Sequence, residues 1–113
     1  MALGSGKDMS APVVSAQQVR AMLRDGGEIA LLDAREEGVF SDKGHPFFAN
    51  CVPLSRLELM IRDLVPRMLT RIVVYDGGDE DLAARSAAKL ATIGYRDVAI
   101  MQGGAQGWAG AGY

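Results

Sequence analysis

Residues 76–81 read Asp76-Gly77-Gly78-Asp79-Glu80-Asp81, with Leu82 opening a helical pattern behind them, and this hexad is where the chain could do chemistry. Two adjacent glycines leave the backbone free to turn its N–H groups inward, the arrangement that cradles an anion at the start of a helix. Four of the six residues are acidic, however. Fixed negative charge opposes an anionic guest, because unit charges about 4 Å apart repel by about 4 kcal/mol at an effective dielectric near 20. The competing reading is a solvated turn in which Asp79, Glu80 and Asp81 cap the following helix and complement its dipole. A calcium loop would alternate oxygen ligands over a longer segment and end in a bidentate Glu, a pattern absent here, so no metal site is expected.

Asp33-Ala34-Arg35 is the second group of interest, a carboxylate and a guanidinium two residues apart. Its plain reading is an internal salt bridge that shapes a neighbouring loop. Cys51 is followed by β-branched Val52 in a short apolar stretch and reads as a small buried hydrophobe rather than a nucleophile. A single histidine gives no assignable Ser-His-Asp set and no two-histidine metal site, and a single cysteine gives neither an intrachain disulfide nor a cysteine-only zinc site. Arg85 reads as a surface residue that offsets the acidity of the loop, and Trp108 as packed at the sheet edge. No cofactor is expected.

The elements that must hold these residues alternate between helix and strand patterns. Ser15-Ala16-Gln17-Gln18 has the form of a capping box; Val19, Met22 and Leu23 follow at helical spacing, and Gly26-Gly27 stops the helix. Residues 28–33 make a short apolar run of the kind found in buried strands. A helical turn is predicted at 36–42, broken at 44–46. A short strand is predicted at 50–53, an amphipathic helix over 54–68 and a β-branched, aromatic strand at 70–75. The helix predicted over 82–93 buries Leu82, Ala83, Ala87, Leu90 and Ala91 and stops at Gly94. A last strand at 97–101 leads to Gly103-Gly104 and a short helix carrying Trp108. Strands separated by helices need crossover connections, which implies an α/β fold with a mainly parallel sheet covered on both faces. Ligands of such sheets sit beyond the carboxyl ends of the strands, where residues 33–35 and 76–81 both fall.

A length of 113 residues suits one domain. Residues 1–12 show no periodic pattern and no cationic stretch leading into an apolar one, so they read as a flexible leader or an appended remnant, with Met9 a candidate start and 13–113 the folded domain. Twelve Lys and Arg against fourteen Asp and Glu leave a net charge of −2, which gives no general attraction to nucleic acid or acidic membranes. Apolar runs such as 29–32 are far too short to span a bilayer. Sparse cysteine usage points to a reducing, cytoplasmic compartment.

Five stretches taken in order, LLDAREEGVF (31–40), GHPFFANCVPLSRLE (44–58), RIVVYDGG (71–78), AARSAAKLATIGYRDVAIMQGG (83–104) and GWAGAGY (107–113), resemble the successive signatures of rhodanese-homology domains. The likeness covers residues 15–113 and is nearest to the first domain of bacterial proteins that string several rhodanese domains together. It implies a rhodanese-like α/β fold with a five-stranded, mainly parallel sheet flanked by helices on both faces, and a functional loop after the strand ending at 75. Rhodanese chemistry takes sulfane sulfur from a donor such as thiosulfate, holds it as a persulfide among backbone N–H groups, and passes it to cyanide or another thiol. That chemistry requires a thiolate at the start of the loop, stabilised by a helix N-terminus.

For His45, between Gly44 and Pro46, the likeness implies an orienting hydrogen bond rather than general base catalysis. On this likeness Asp76 stands at the nucleophile position, residues 77–82 form the loop, and Asp33 and Arg35 match the family's Asp-x-Arg pair. A carboxylate cannot form a persulfide. The arginine or similar residue that closes the family's loop is absent too, since Asp81 and Leu82 stand there. The loop is slightly longer than the common sulfurtransferase form, as in the related phosphatase branch, but that branch needs a Cys and a loop-closing Arg and has neither here. A response-regulator receiver, also parallel α/β, fails because none of Lys7, Lys43 and Lys89 follows a suitable strand. The resemblance therefore implies a domain without sulfur-transfer activity of its own, an interaction or regulatory module whose partners are other rhodanese domains of a longer native chain. The alternative is a thiosulfate:cyanide sulfurtransferase acting through Cys51 or an unrecognised group.

Overall fold

The chain runs β1 (Val13–Val14), α1 (Ala16–Arg24), β2 (Ile29–Asp33), β3 (Asn50–Cys51), a 3₁₀ turn at Leu54–Arg56, α2 (Leu57–Leu64), β4 (Arg71–Tyr75), α3 (Asp81–Ile93), β5 (Val98–Met101) and α4 (Gly104–Gly110). This computed structural model describes residues 11–36, 38–39, 49–78 and 81–113. Among them, five strands form one sheet in the order β1-β5-β4-β2-β3, with every neighbouring pair parallel. The α/β architecture implied by alternating helix and strand patterns is the one observed. No helix among the described residues is long and apolar enough to cross a membrane.

Both faces of the sheet are covered, which is why β2 and β4 read as continuous apolar runs rather than alternating ones. Leu32, Ile72, Val74 and Ile100 meet Leu57 and Ile61 of α2 and Ala83, Ala87 and Leu90 of α3 in one core cluster. Leu31, Val73, Tyr75 and Met101 build the other with Ala16 and Val19 of α1, and Ala105 and Trp108 of α4 pack against it. The capping box predicted at Ser15 is present: Ser15 Oγ accepts the Gln18 N–H at 3.1 Å, and Gln18 Oε1 accepts the Ser15 N–H at 2.7 Å.

Two predicted elements are shorter than expected. The helix expected over 54–68 starts as a 3₁₀ turn and ends at Leu64. Pro66 disfavours helical geometry in the residue before it, and Val65 lies at φ −132° and ψ 78°. The strand expected at 50–53 stops at Cys51; Val52 still donates to the Asp33 carbonyl, but Pro53 has no N–H to extend the ladder. In α3 the buried face includes Ser86 and leaves Ala91 exposed. Of the turn expected at 36–42, Gly38 and Val39 are helical, while residues 37 and 40–48, His45 among them, lie outside the described residues. β1 has no counterpart in the predicted strands. Two residues carry no periodicity, and the pairing that makes them a strand comes from β5, 87 positions away, through Val13↔Ile100 and Val14↔Met101 (100 − 13 = 87).

Candidate functional site

Parallel pairing puts Asp33, the last residue of β2, opposite Tyr75, the last residue of β4, so residues 33–35 and the loop after Tyr75 emerge side by side at one end of the sheet. Asp33 is wholly buried and takes Arg35 in a fork: Nε donates to Oδ1 at 2.9 Å, Nη2 to Oδ2 at 2.6 Å, and the Arg35 backbone N–H also reaches Oδ1 at 2.9 Å. Those hydrogen bonds push the guanidinium pKa up, against a smaller desolvation effect. Arg35 Cζ lies 5.9 Å from the centroid of the Tyr75 ring. Burial first, and then the Asp33 charge, pushes the Tyr75 phenol far up, so it stays neutral. The expected internal salt bridge is thus a buried, doubly hydrogen-bonded pair.

Cys51 pairs with Asp33 on the other side, in edge strand β3. It is half-buried, and its Sγ donates to the Arg35 carbonyl oxygen at 3.4 Å. Since β2 lies between β3 and β4, Cys51 stands two strand spacings, about 10 Å, from the end of β4. The thiol therefore belongs to the Asp33–Arg35 corner, not to the loop.

Asp76 turns inward instead of projecting into solvent. Only 1% of it is exposed; Oδ1 accepts the Gly78 N–H at 2.9 Å and Oδ2 accepts the Ala83 N–H at 3.0 Å. Ala83 is the third residue of α3, so its N–H is one of those that a helix start leaves without an internal acceptor. An inward-facing set of N–H groups is present, as one of the two readings of the hexad required, and a carboxylate from the chain itself fills it. The other reading assigned capping to Asp79, Glu80 and Asp81; at Ala83 the N–H is met by Asp76. Asp79 and Glu80 lie outside the described residues. Asp81 is exposed and pairs at 3.5 Å with Arg85 one turn on, and Leu82 packs half-buried against the core behind.

Residues that sequence reasoning did not assign to the site close its other side. The Ala105 N–H donates to the Asp76 carbonyl oxygen at 2.8 Å, and Gly103-Gly104 abut the loop. An open cleft of about 400 Å³ lies beside it, lined by Arg35, Val39, Gly77, Ala105, Gln106 and Ala109. The available signal was the double glycine directly after a strand, which marks a backbone needing unusual φ or close approach. Arg35 is the charged group among the described lining residues, and Asp33 binds it. Among the described residues no cluster of His, Cys, Asp and Glu is arranged to hold a metal ion.

Residues 15–111 match the family model described as a Rhodanese-like domain. Among solved structures, the thiosulfate sulfurtransferase from Pseudomonas aeruginosa is 48% identical with a TM-score of 0.83, the match covering 89% of this chain and 19% of that one. The Alr3790 protein from Anabaena sp. is 25% identical with a TM-score of 0.77, over 88% of this chain and 87% of that one. A rhodanese-related protein from Thermoplasma volcanium has the same fold at 20% identity and a TM-score of 0.75, over 90% and 94% of the two chains. This chain spans about a fifth of the length of the Pseudomonas protein. No match to a curated protein was found.

Proposed function

Because the chain belongs to the rhodanese-like domain family, we propose that it is a rhodanese-homology domain whose own sulfur-transfer position is silent, serving as an interaction or regulatory module beside active domains. The observation that carries this reading is the Asp76 carboxylate, buried and bonded to the N–H groups of Gly78 and Ala83. Sulfur transfer needs a thiolate that attacks a sulfane sulfur, keeps it in an S–S bond, and is then relieved of it by an acceptor. A carboxylate forms no such bond, and this one also occupies N–H groups that would stabilise a persulfide anion. Other rhodanese domains of a longer chain are the proposed partners, with this one in the place of a first domain; the 48% likeness to a protein about five times as long supports the longer chain. A reducing, cytoplasmic setting suits a chain with a single cysteine.

The test is thiocyanate formation from thiosulfate and cyanide by the purified domain. The expected rate equals that without protein. Turnover that disappears in Cys51→Ser would overturn the proposal in favour of an enzyme working through Cys51, a role its position in β3 does not support. Asp76→Cys supplies the complementary test. Backbone N–H groups and the start of α3 should hold the introduced thiol below the pKa of an ordinary thiol, with weak turnover. An ordinary or raised pKa would mean that the acidic surroundings outweigh the N–H groups.

A further inference from the structure

The first two residues after Asp76 give the backbone little stiffness of their own. Gly77 and Gly78 adjoin each other, Gly78 has φ +146°, and a Cβ on Gly77 would meet nothing closer than Arg35 Cδ at 3.9 Å. What touches the loop tightly comes from the far end of the chain. Gly103 and Gly104 have φ of +77° and +57°, in the left-handed region. A Cβ on Gly104 would collide with the Asp76 carbonyl oxygen and lie 2.7 Å from the Gly78 amide nitrogen. Both obstacles are backbone and cannot swing aside. From the loop's side, a Cβ on Gly78 would come within 3.3 Å of the Gly103 carbonyl oxygen, so loop and turn meet main chain to main chain. The Ala105 N–H completes the contact at the Asp76 carbonyl.

The other end of this contact is anchored. A seven-residue helix is too short to stand alone, so packing decides where α4 sits. Ala105, Trp108 and Ala111 rest on the cluster around Tyr75 and Met101. Trp108 meets Tyr113 edge-on at 5.0 Å, and Arg20 of α1 lies 4.4 Å from the Tyr113 ring centroid. We propose that Gly104 is a positioning residue of the site: through it, the placement of α4 sets the Asp76 carbonyl and the Gly78 amide, and thereby whether the loop can hold an anionic group at residue 76. This rests on the loop being the functional site and is independent of whether that site is silent.

Amide hydrogen exchange of the intact domain, followed by NMR, tests the proposal without any sulfur-transfer readout. Gly104→Ala should lower the protection of the Gly78 and Ala83 amides about tenfold relative to core amides of Val73 and Leu90, which should keep their ratio to each other. Ala105→Pro removes the N–H to Asp76 and turns the proline ring against the same carbonyl oxygen without adding a Cβ at residue 104; it should act in the same direction, which keeps the test open if the first variant does not fold. Gly110→Ala lies on the same helix with nothing within 4 Å of the added methyl, and should change neither amide. The proposal fails if the folded variants lose protection evenly, if Gly110→Ala has the same effect, or if Gly104→Ala and Ala105→Pro both unfold the whole domain, since a positioning role spares the core.

Discussion

Asp33 and Asp76 sit at the ends of adjacent parallel strands, at 0% and 1% exposure, yet their charges are held by different means. Asp33 meets a full counter-charge two residues along its own chain, in a fork that its immediate sequence supplies. The described partners of Asp76 are neutral N–H groups, one in the loop and one in the first turn of α3, aligned by backbone that other elements hold in place. A charge locked to a guanidinium is a structural knot. A charge held by oriented main-chain dipoles is exchangeable in principle, because any anion of similar size satisfies the same donors. On the function proposed above, the kind of partner separates the structural carboxylate from the one at the loop.

The comparison is most easily broken at Arg35. Arg35→Leu leaves the Asp33 carboxylate buried without its partner and should cost about 3–5 kcal/mol in urea unfolding. Arg35→Lys should recover only part of that, since an ammonium cannot reproduce the fork. Asp76→Ala should cost less, about 1–3 kcal/mol, by leaving the Gly78 and Ala83 N–H groups without an acceptor while Arg35 stays paired. An equal or larger loss at Asp76 would invert the assignment of knot and site.

The smallest effect belongs to a surface pair that sharpens the contrast. Hydrogen bonds from Arg71 first, and from the Gly27 N–H second, hold the exposed Asp25 carboxyl down from 3.8 to about 2. A folded-state pKa below the unfolded one means stabilisation that is complete above about pH 4 and lost as pH falls toward 2. Carboxyl NMR should show Asp25 titrating near 2 in the native chain and close to its ordinary value in Arg71→Met. Asp25→Asn should flatten the acid limb of the stability curve only slightly, because solvent screens an exposed pair.

Much of this architecture was readable because it is local. The capping box at Ser15, the apolar runs of β2 and β4, and the Asp33-x-Arg35 pair all involve residues within a few positions of each other. What escaped was set at a distance. Nothing near Val13-Val14 marks a strand, since its partner is β5; nothing in 76–81 says that Asp76, rather than the three acids nearer the helix, bonds the Ala83 N–H. Gly103-Gly104 looked like punctuation after β5 because the surface it must approach lies some 25 positions earlier in the chain (103 − 78 = 25). Pro66 was the opposite case: its effect on Val65 was local and legible, but the apolar spacing running through it suggested a longer helix.

Strand β1 has a consequence for how the domain comes into being. The ladder that completes the sheet runs from the Ile100 N–H to the Pro12 carbonyl and from the Gln102 N–H to the Val14 carbonyl. The first of these five strands to be synthesised must therefore wait for the last before it has anywhere to lie, and a nascent chain arrested before β5 emerges should present Val13-Val14 and the uncovered edge of β4 to chaperones.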